Sequence, residues 1–341
     1  MMNILLDTLS GDAPPREIIQ GAVDALESNR EKVFNITLLG EKRENKGIFE
    51  DLGGDSSRIE YVDAPQRVSM SDSPVTAVRK NPNSSLVVGC ERLKKDNSVF
   101  ITPGNTGAVV AAALLKLGRI SGIARPGLAA LIPTLSDGQV VLIDVGATTD
   151  SSPKNLSQFA VMGELFAQLA LDIPDVRVGL LNIGEEESKG NRLTKNSSKQ
   201  LSKLDLNYIG NVEPHDILTN SPAEVVVCDG FSGNVLLKAF EGGASGTIGF
   251  FRKAVNSSIR AKLGGFLLRP MLNDLKEQLS FSRFGAVPLL GVRGTVFVGH
   301  GRSKSKAIKN AILHAKEAAN WNLPEKIETA VERMDINAEN K

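Results

Sequence analysis

Six short stretches of small and polar residues hold most of the chemistry available to this 341-residue chain. They are Asp7 with Ser10-Gly11-Asp12, then Pro103-Gly104-Asn105-Thr106-Gly107, then Asp144-Val145-Gly146-Ala147-Thr148. Further on come Ile183-Gly184-Glu185-Glu186-Glu187-Ser188-Lys189-Gly190-Asn191, Asp229-Gly230-Phe231-Ser232-Gly233-Asn234 and Gly299-His300-Gly301-Arg302-Ser303. Each follows a β-branched or aliphatic run. Glycine lets backbone N–H groups approach an anion, and a helix opening after the loop adds its dipole. Asn105, Thr106, Lys189, Asn234 and His300 add side-chain donors. Taken singly, each loop reads first as a tight strand-to-helix turn capped by Asn, Asp or Ser. Six in series read as an anion pocket.

Motifs that are absent narrow the chemistry. No Gly-x-x-x-x-Gly-Lys run followed by Ser or Thr is present, and no Gly-x-Gly-x-x-Gly follows a candidate strand. Gly-Phe-Ser-Gly-Asn is one residue short of a nucleophile elbow. Cys90 and Cys228 fall in a helix-like and a strand-like run and read as core, while His215 and His314 read as surface or packing residues. His300, between two glycines at a strand end, is the histidine placed for chemistry. The Glu185-Glu186-Glu187 run also fits a solvated helix start. An anion pocket without a protein nucleophile suits a reaction in which the bound anion itself attacks, the protein supplying position and oxyanion stabilisation.

The elements that must hold these loops alternate along the chain. Candidate strands are 3–6, 35–39, 98–102, 139–144, 176–182, 223–228 and 295–298; candidate helices are 16–28, 84–95, 105–117, 155–170, 231–241, 246–263 and 303–320. Strands that read as continuous apolar runs suit a parallel sheet covered on both faces. The expected fold is therefore a doubly wound α/β/α sandwich, with the six loops on one edge of the sheet, where open parallel sheets bind ligands. One α/β domain is expected over 1–323, followed by a charged tail over 324–341 that forms a fraying helix.

Residues 246–281 break this rhythm as a helical hairpin, with a break expected at Gly264-Gly265 and a second helix starting near Pro270. Phe251, Val255, Ile259, Leu263 and Phe266 form one apolar stripe, into which Arg252 and Lys262 intrude. Lys253, Arg260, Arg269 and Lys276 make the segment basic. It reads either as a hairpin packed on its own domain or a dimer mate, or as an amphipathic element for anionic lipid or an acidic partner.

Composition excludes other classes. The chain is 41% hydrophobic and 23% charged with a net charge of +1, ordinary globular values. No apolar run approaches the ~18 residues of a membrane span. The start, Met-Met-Asn-Ile-Leu-Leu-Asp, lacks a signal-peptide pattern, so a cytoplasmic location is expected. Two cysteines and three histidines give no disulfide framework and no metal-spaced cluster. Balanced charge and 5% aromatics argue against a nucleic-acid binder.

The same loops resemble the phosphate acyltransferase (PlsX) family. The resemblance runs from Ile4 to about Ala318 and rests on residues 70–85, 104–126, 153–163, 177–191, 228–242 and 288–312. It implies transfer of a long-chain acyl group from acyl carrier protein to inorganic phosphate. The acyl phosphate formed then serves a membrane glycerol-3-phosphate acyltransferase in phospholipid synthesis. It also implies a fold similar to phosphotransacetylases and isocitrate/isopropylmalate dehydrogenases, a homodimer, no organic cofactor, and peripheral membrane attachment through the hairpin.

By position, the resemblance makes Lys189 and Asn234 active-site residues. Lys189 would pair with phosphate or the thioester oxyanion, Asn234 would orient one of them, and His300 would protonate the departing thiolate. Asp7, Gly11, Asp12, Gly104, Asn105, Thr106, Gly107, Asp144, Gly146, Glu186, Asp229 and Gly233 would bind phosphate and substrate, with Asp144 and Asp229 orienting loops. Phe251, Arg252, Lys253, Ile259, Arg260, Lys262, Leu263 and Phe266 would meet membrane or acyl carrier protein. The sequence departs from the family pattern at Ser10 and Ala13 in the first loop, at Thr148 and Ser151, at Thr102-Pro103 and at Pro214. A short-chain phosphotransacetylase acting on coenzyme A thioesters, or a non-catalytic relative binding acyl carrier protein or membrane, are the alternatives.

Overall fold

The computed structural model describes residues 2–29, 33–95, 98–136, 138–219, 221–278 and 283–339. Its strands are β1 (Met2–Asp7), β2 (Phe34–Gly40), β3 (Ile59–Asp63), β4 (Ser98–Thr102), β5 (Gly127–Pro133), β6 (Gln139–Ile143), β7 (Arg177–Leu181), β8 (Asn207–Val212), β9 (Val225–Val227), β10 (Ala286–Leu290) and β11 (Thr295–Gly299). Its helices are α1 (Pro15–Ser28), α2 (Lys42–Asp51), α3 (Pro74–Lys80), α4 (Ser85–Leu93), α5 (Thr106–Lys116), α6 (Pro153–Ala170), α7 (Arg192–Leu201), α8 (Pro214–Thr219), α9 (Gly230–Val255), α10 (Ile259–Gln278), α11 (Ser305–Ala318) and α12 (Leu323–Glu339).

The strands form one sheet in the order β3-β2-β1-β4-β11-β10-β5-β6-β9-β7-β8. Both faces are covered, as continuous apolar strands demand. Ile4 and Leu6 pack with α1 and α11, while Leu5 between them packs with α4 and α5 on the other face. Val141, Ile143 and Val225 meet α6, where Phe159 and Phe166 are buried. Full burial of each such side chain contributes roughly 1.5–3 kcal/mol. The expected doubly wound α/β/α sandwich is the observed fold.

The single loop-bearing edge is not observed. Strands β3, β2, β1, β4 and β11 run parallel to one another; β10 is antiparallel to β11 and β5, and β5 is antiparallel to β6. Strands β6, β9, β7 and β8 therefore run opposite to the first five. The six loops fall into two trios, one after β1, β4 and β11 and one after β6, β7 and β9. The three antiparallel junctions at the centre are invisible in the sequence because β5 begins with glycine and is rich in alanine, and β10 contains Pro288, which argues against a strand paired on both sides.

The hairpin also differs. Candidate helices 231–241 and 246–263 are the single helix α9 through Val255, and the break lies at residues 256–258 rather than at Gly264-Gly265. There Ser257 Oγ donates to the Ala254 carbonyl at 2.7 Å and Ser258 Oγ accepts from the Ala261 amide at 3.1 Å. Such local bonds end a helix more effectively than glycine, which costs only about 1 kcal/mol within one. The stripe is thereby divided, with Phe251 and Val255 on α9 and Ile259, Leu263 and Phe266 on α10; Gly265 lets Val255 pack against α10. Pro270 lies inside α10, and residues 279–281 lie outside the described residues. The helix expected in the charged tail over 324–341 is α12, whose Ile327 and Val331 are buried with the α6 core.

Candidate active site

The first trio is tied together at a buried carboxylate. Asp7 Oδ1 accepts from the amides of Leu9 and Ser10 at 3.0 and 3.1 Å, and its Oδ2 accepts from Thr102 Oγ1 at 2.7 Å. Thr102 Oγ1 in turn accepts from the Gly104 amide at 3.1 Å. The Asp12 amide donates to the Gly301 carbonyl at 2.7 Å, joining the loops after β1 and β11. Gly11 sits at φ +89°, where a β carbon would lie 2.8 Å from the Pro103 carbonyl oxygen, so only glycine fits between these loops. Arg67 donates to the Gly11 carbonyl, and Asn105 Nδ2 donates to the Met70 carbonyl at 2.7 Å. The 67–72 segment therefore seals the trio from one side.

Asn105 caps α5, its Oδ1 accepting from the Ala108 amide at 3.2 Å. Both ends of its amide are thus engaged in structure. The amides of Thr106 and Gly107, in the first turn of α5, have no partner within their helix. Those two donors, with the helix dipole, remain for an anion.

The second trio centres on Asp144, also fully buried. Its Oδ1 accepts from the amides of Leu128, Gly146 and Ala147 at 2.9 Å each, and its Oδ2 accepts from that of Thr148 at 2.6 Å. Burial pushes its carboxyl above the ordinary carboxylate range, while the four amides pull it back. Asp229 caps α9 by accepting from the amides of Phe231 and Ser232 at 3.1 and 2.9 Å. Gly230 and Gly233 let that helix touch the Asp144 loop, since a β carbon on Gly233 would overlap the Asp144 carbonyl oxygen. The amides of Gly146, Ala147, Thr148, Phe231 and Ser232 are thus committed to these two carboxylates. Thr148 and Ser151, which depart from the family pattern, are also satisfied: Thr148 Oγ1 donates to the Pro126 carbonyl and Ser151 Oγ to the Thr148 carbonyl, each at 3.0 Å.

What remains for substrate is a cleft of about 1080 Å³ spanning β5 and β10. From the first trio it is lined by Thr106 and His300, and from the second by Gly146 and Asn234. The antiparallel pairings made by β10 and β5 thus let oppositely directed loops share one cavity. His300 Nδ1 accepts from the Arg302 amide at 3.1 Å, so a neutral ring carries its proton on Nε2. Asn234 Oδ1 accepts from Lys238 Nζ at 2.9 Å. The charged lining among the described residues is mostly basic: Lys238, Arg252, Arg283, Arg302, Lys304 and Lys306 against Glu241 and Glu317.

Several expected residues stand outside that lining. Asp7, Gly11, Asp12, Gly104, Asn105, Gly107, Asp144, Asp229 and Gly233 belong to the supporting loops. Lys189 and Glu186 lie in the loop after β7, paired with each other at 4.0 Å and about half or more exposed. That loop is tied to β8, Asn211 Nδ2 donating to the Glu186 carbonyl at 3.0 Å, and Gly184 leaves room for the Lys189 stem. Cys90 and Cys228 are buried, and burial pushes the Cys90 thiol up to about 12. Among the described residues, no group of three His, Cys, Asp or Glu is placed to hold a metal ion.

The sequence reading misses Lys238 and Thr102, and it names Arg302 only as part of the loop around His300. Lys238 was within reach, being four residues after Asn234 on the same helix face. Thr102 was not, because its partner Asp7 lies 95 residues away.

A family described as "Fatty acid synthesis protein" matches residues 2–326. A protein named Phosphate acyltransferase from Halothermothrix orenii is 43% identical over 325 residues, 94% of this chain and 96% of that one. Another of that name, from Thermoanaerobacter pseudethanolicus, is 42% identical over 334 residues and 98% of each chain. Among solved structures, a phosphotransacetylase from Streptococcus pyogenes superposes with a TM-score of 0.60 at 17% identity, covering 93% of this chain and 94% of that one. The EutD phosphotransacetylase from Staphylococcus aureus gives 0.58 at 14% identity with the same coverage. These two likenesses are of fold.

Proposed function

Because the chain belongs to the phosphate acyltransferase family, we propose that it moves a long-chain acyl group from acyl carrier protein to inorganic phosphate, giving acyl phosphate for phospholipid synthesis. The observation that carries this reading is the cleft where Thr106, Gly146, Asn234 and His300 meet beneath a mostly basic rim. Phosphate sits at the amide of Thr106, the residue that opens α5 and lines the cleft. One of its oxygens bonds to the thioester carbon; the carbon–sulfur bond breaks and sulfur keeps the electron pair. The proton of monohydrogen phosphate ends on the thiol, so acyl phosphate and free carrier thiol balance the reactants.

Asn234 Nδ2 donates to the developing oxyanion, and His300 gives the departing sulfur a hydrogen bond from Nε2. Electrostatic preorganisation of this type is commonly the largest catalytic contribution. Lys189 lies outside the cleft lining, so its role rests on the family resemblance: its weak, exposed pair with Glu186 leaves it able to exchange that partner for a substrate anion at the cleft's approach. Asp7, Asp144 and Asp229 hold the loops in place.

The hairpin supports peripheral attachment to an anionic membrane, where the acyl phosphate would pass to a glycerol-3-phosphate acyltransferase. Phe251, Ile259, Leu263 and Phe266 are 43%, 80%, 65% and 71% exposed, flanked by Arg252, Lys253, Arg260 and Lys262. No helix among the described residues is long and apolar enough to cross a membrane. The family reading also carries a homodimer.

The test is phosphate-dependent loss of acyl groups from acyl carrier protein, with acyl phosphate trapped as hydroxamate. Absence of hydroxamate at saturating phosphate over several chain lengths would refute the reaction. Faster turnover of short-chain coenzyme A thioesters would replace it with a phosphotransacetylase.

A further inference from the structure

We infer that Lys238 is a positioning residue that fixes which end of the Asn234 amide faces the substrate, an inference resting on Asn234 as the donor to the thioester oxyanion. A primary amide has a donor end and an acceptor end of nearly equal size, and a 180° flip exchanges them. In an open cleft nothing in the shape of asparagine prefers one orientation. With its oxygen toward the reacting carbonyl, Asn234 would repel the charge that develops there. The side chain of Lys238 removes that ambiguity.

Lys238 Nζ lies 2.9 Å from Asn234 Oδ1, and an ammonium group can only donate. The amide is therefore held with its oxygen at Lys238 and its nitrogen away from it. That nitrogen lies over Gly146, where a β carbon would sit 3.2 Å away, so the bare glycine leaves space beside the N–H pair. Asn234, Lys238 and Gly146 all line the same cleft. The two side chains stand four residues apart on α9, whose first turn is fixed by the Asp229 cap. Position is thus transmitted from a capped helix end to Lys238, then to the amide.

The experiment compares wild type with Lys238→Met, Lys238→Arg, Asn234→Ala, Asn234→Asp and the double variant Lys238→Met/Asn234→Ala in the hydroxamate assay, with melting temperatures alongside. Lys238→Met is expected to lower kcat about 10- to 100-fold with KM for phosphate within about twofold, less than the roughly 100- to 1000-fold for outright loss of one oxyanion donor, because the freed amide still samples the donating orientation. Lys238→Arg, still a donor, is expected to recover most of that loss. Asn234→Asp keeps an oxygen for Lys238 but has no N–H, and is expected to be as impaired as Asn234→Ala. Adding Lys238→Met to Asn234→Ala is expected to cost nothing further, because the lysine acts through the amide. Wild-type kcat in Lys238→Met, a rise in phosphate KM alone, or multiplicative losses in the double variant would each overturn the inference while leaving the reaction standing. A wild-type protein that makes no acyl phosphate would overturn both.

Discussion

Gly146 and Asn234 are fitted to each other across two elements: a β carbon on the glycine would lie 3.2 Å from Nδ2 of the asparagine. Gly146 also sits at φ +138°, outside the range that side-chain-bearing residues favour. Its amide is spent on Asp144 at 2.9 Å, so its contribution to the cleft is room. Gly146→Ala is expected to lower kcat at least about tenfold and stability by about 1–2 kcal/mol. Steady-state kinetics and urea denaturation check the two effects separately.

Asp144 holds four amides from two segments. Asp144→Ala would leave them buried without acceptors, at a cost of at least about 3 kcal/mol. Urea midpoints should show that loss, and an unchanged midpoint would remove Asp144 from its organising role.

Glu164, on α6, is pushed up to about 7, first by burial and then by Asp205 and Asp175. Its folded value lies above the ordinary 4.5, so the folded state holds the proton more tightly than the unfolded one. Stability from this group is fully present below about pH 4.5 and is lost as pH rises through about 7. Glu164→Gln should therefore melt about 2 °C above wild type at pH 8, from roughly 1–2 kcal/mol after solvent screening, and converge with it at pH 4. Equal melting at both values would contradict the assignment.

Lys189 is half exposed, and its ion pair with Glu186 contributes at most about 1 kcal/mol. Lys189→Ala should leave melting unchanged and lower turnover about 100-fold. Wild-type kinetics would take Lys189 out of the mechanism.

Phe251, Ile259 and Leu263 would each contribute roughly 1.5 kcal/mol or more on leaving water for lipid. Changing all three to serine should weaken binding to anionic liposomes more than 100-fold, measured by co-sedimentation at low salt. Failure of wild type to sediment would end the membrane proposal.

Much of the fold was legible because continuous apolar strands such as Gln139–Ile143 and capped helices such as Thr106–Lys116 carry their signals within a few residues. Edge strands Ile59–Asp63 and Asn207–Val212 were not legible. Their burial alternates or is partial, so the apolar run that marks a central strand is missing.

The sequence by itself determined the loop chemistry, the doubly wound class and the family, since residue types and short spacings encode turns, caps and apolar faces. Tertiary structure alone decided that β5 and β10 reverse the sheet, that Asp7 meets Thr102, and that Thr106, Gly146, Asn234 and His300 share one cleft while Lys189 stands outside it. Those relationships join residues scores of positions apart. They depend on strand order and direction, which pairing across the whole sheet fixes and no local pattern specifies.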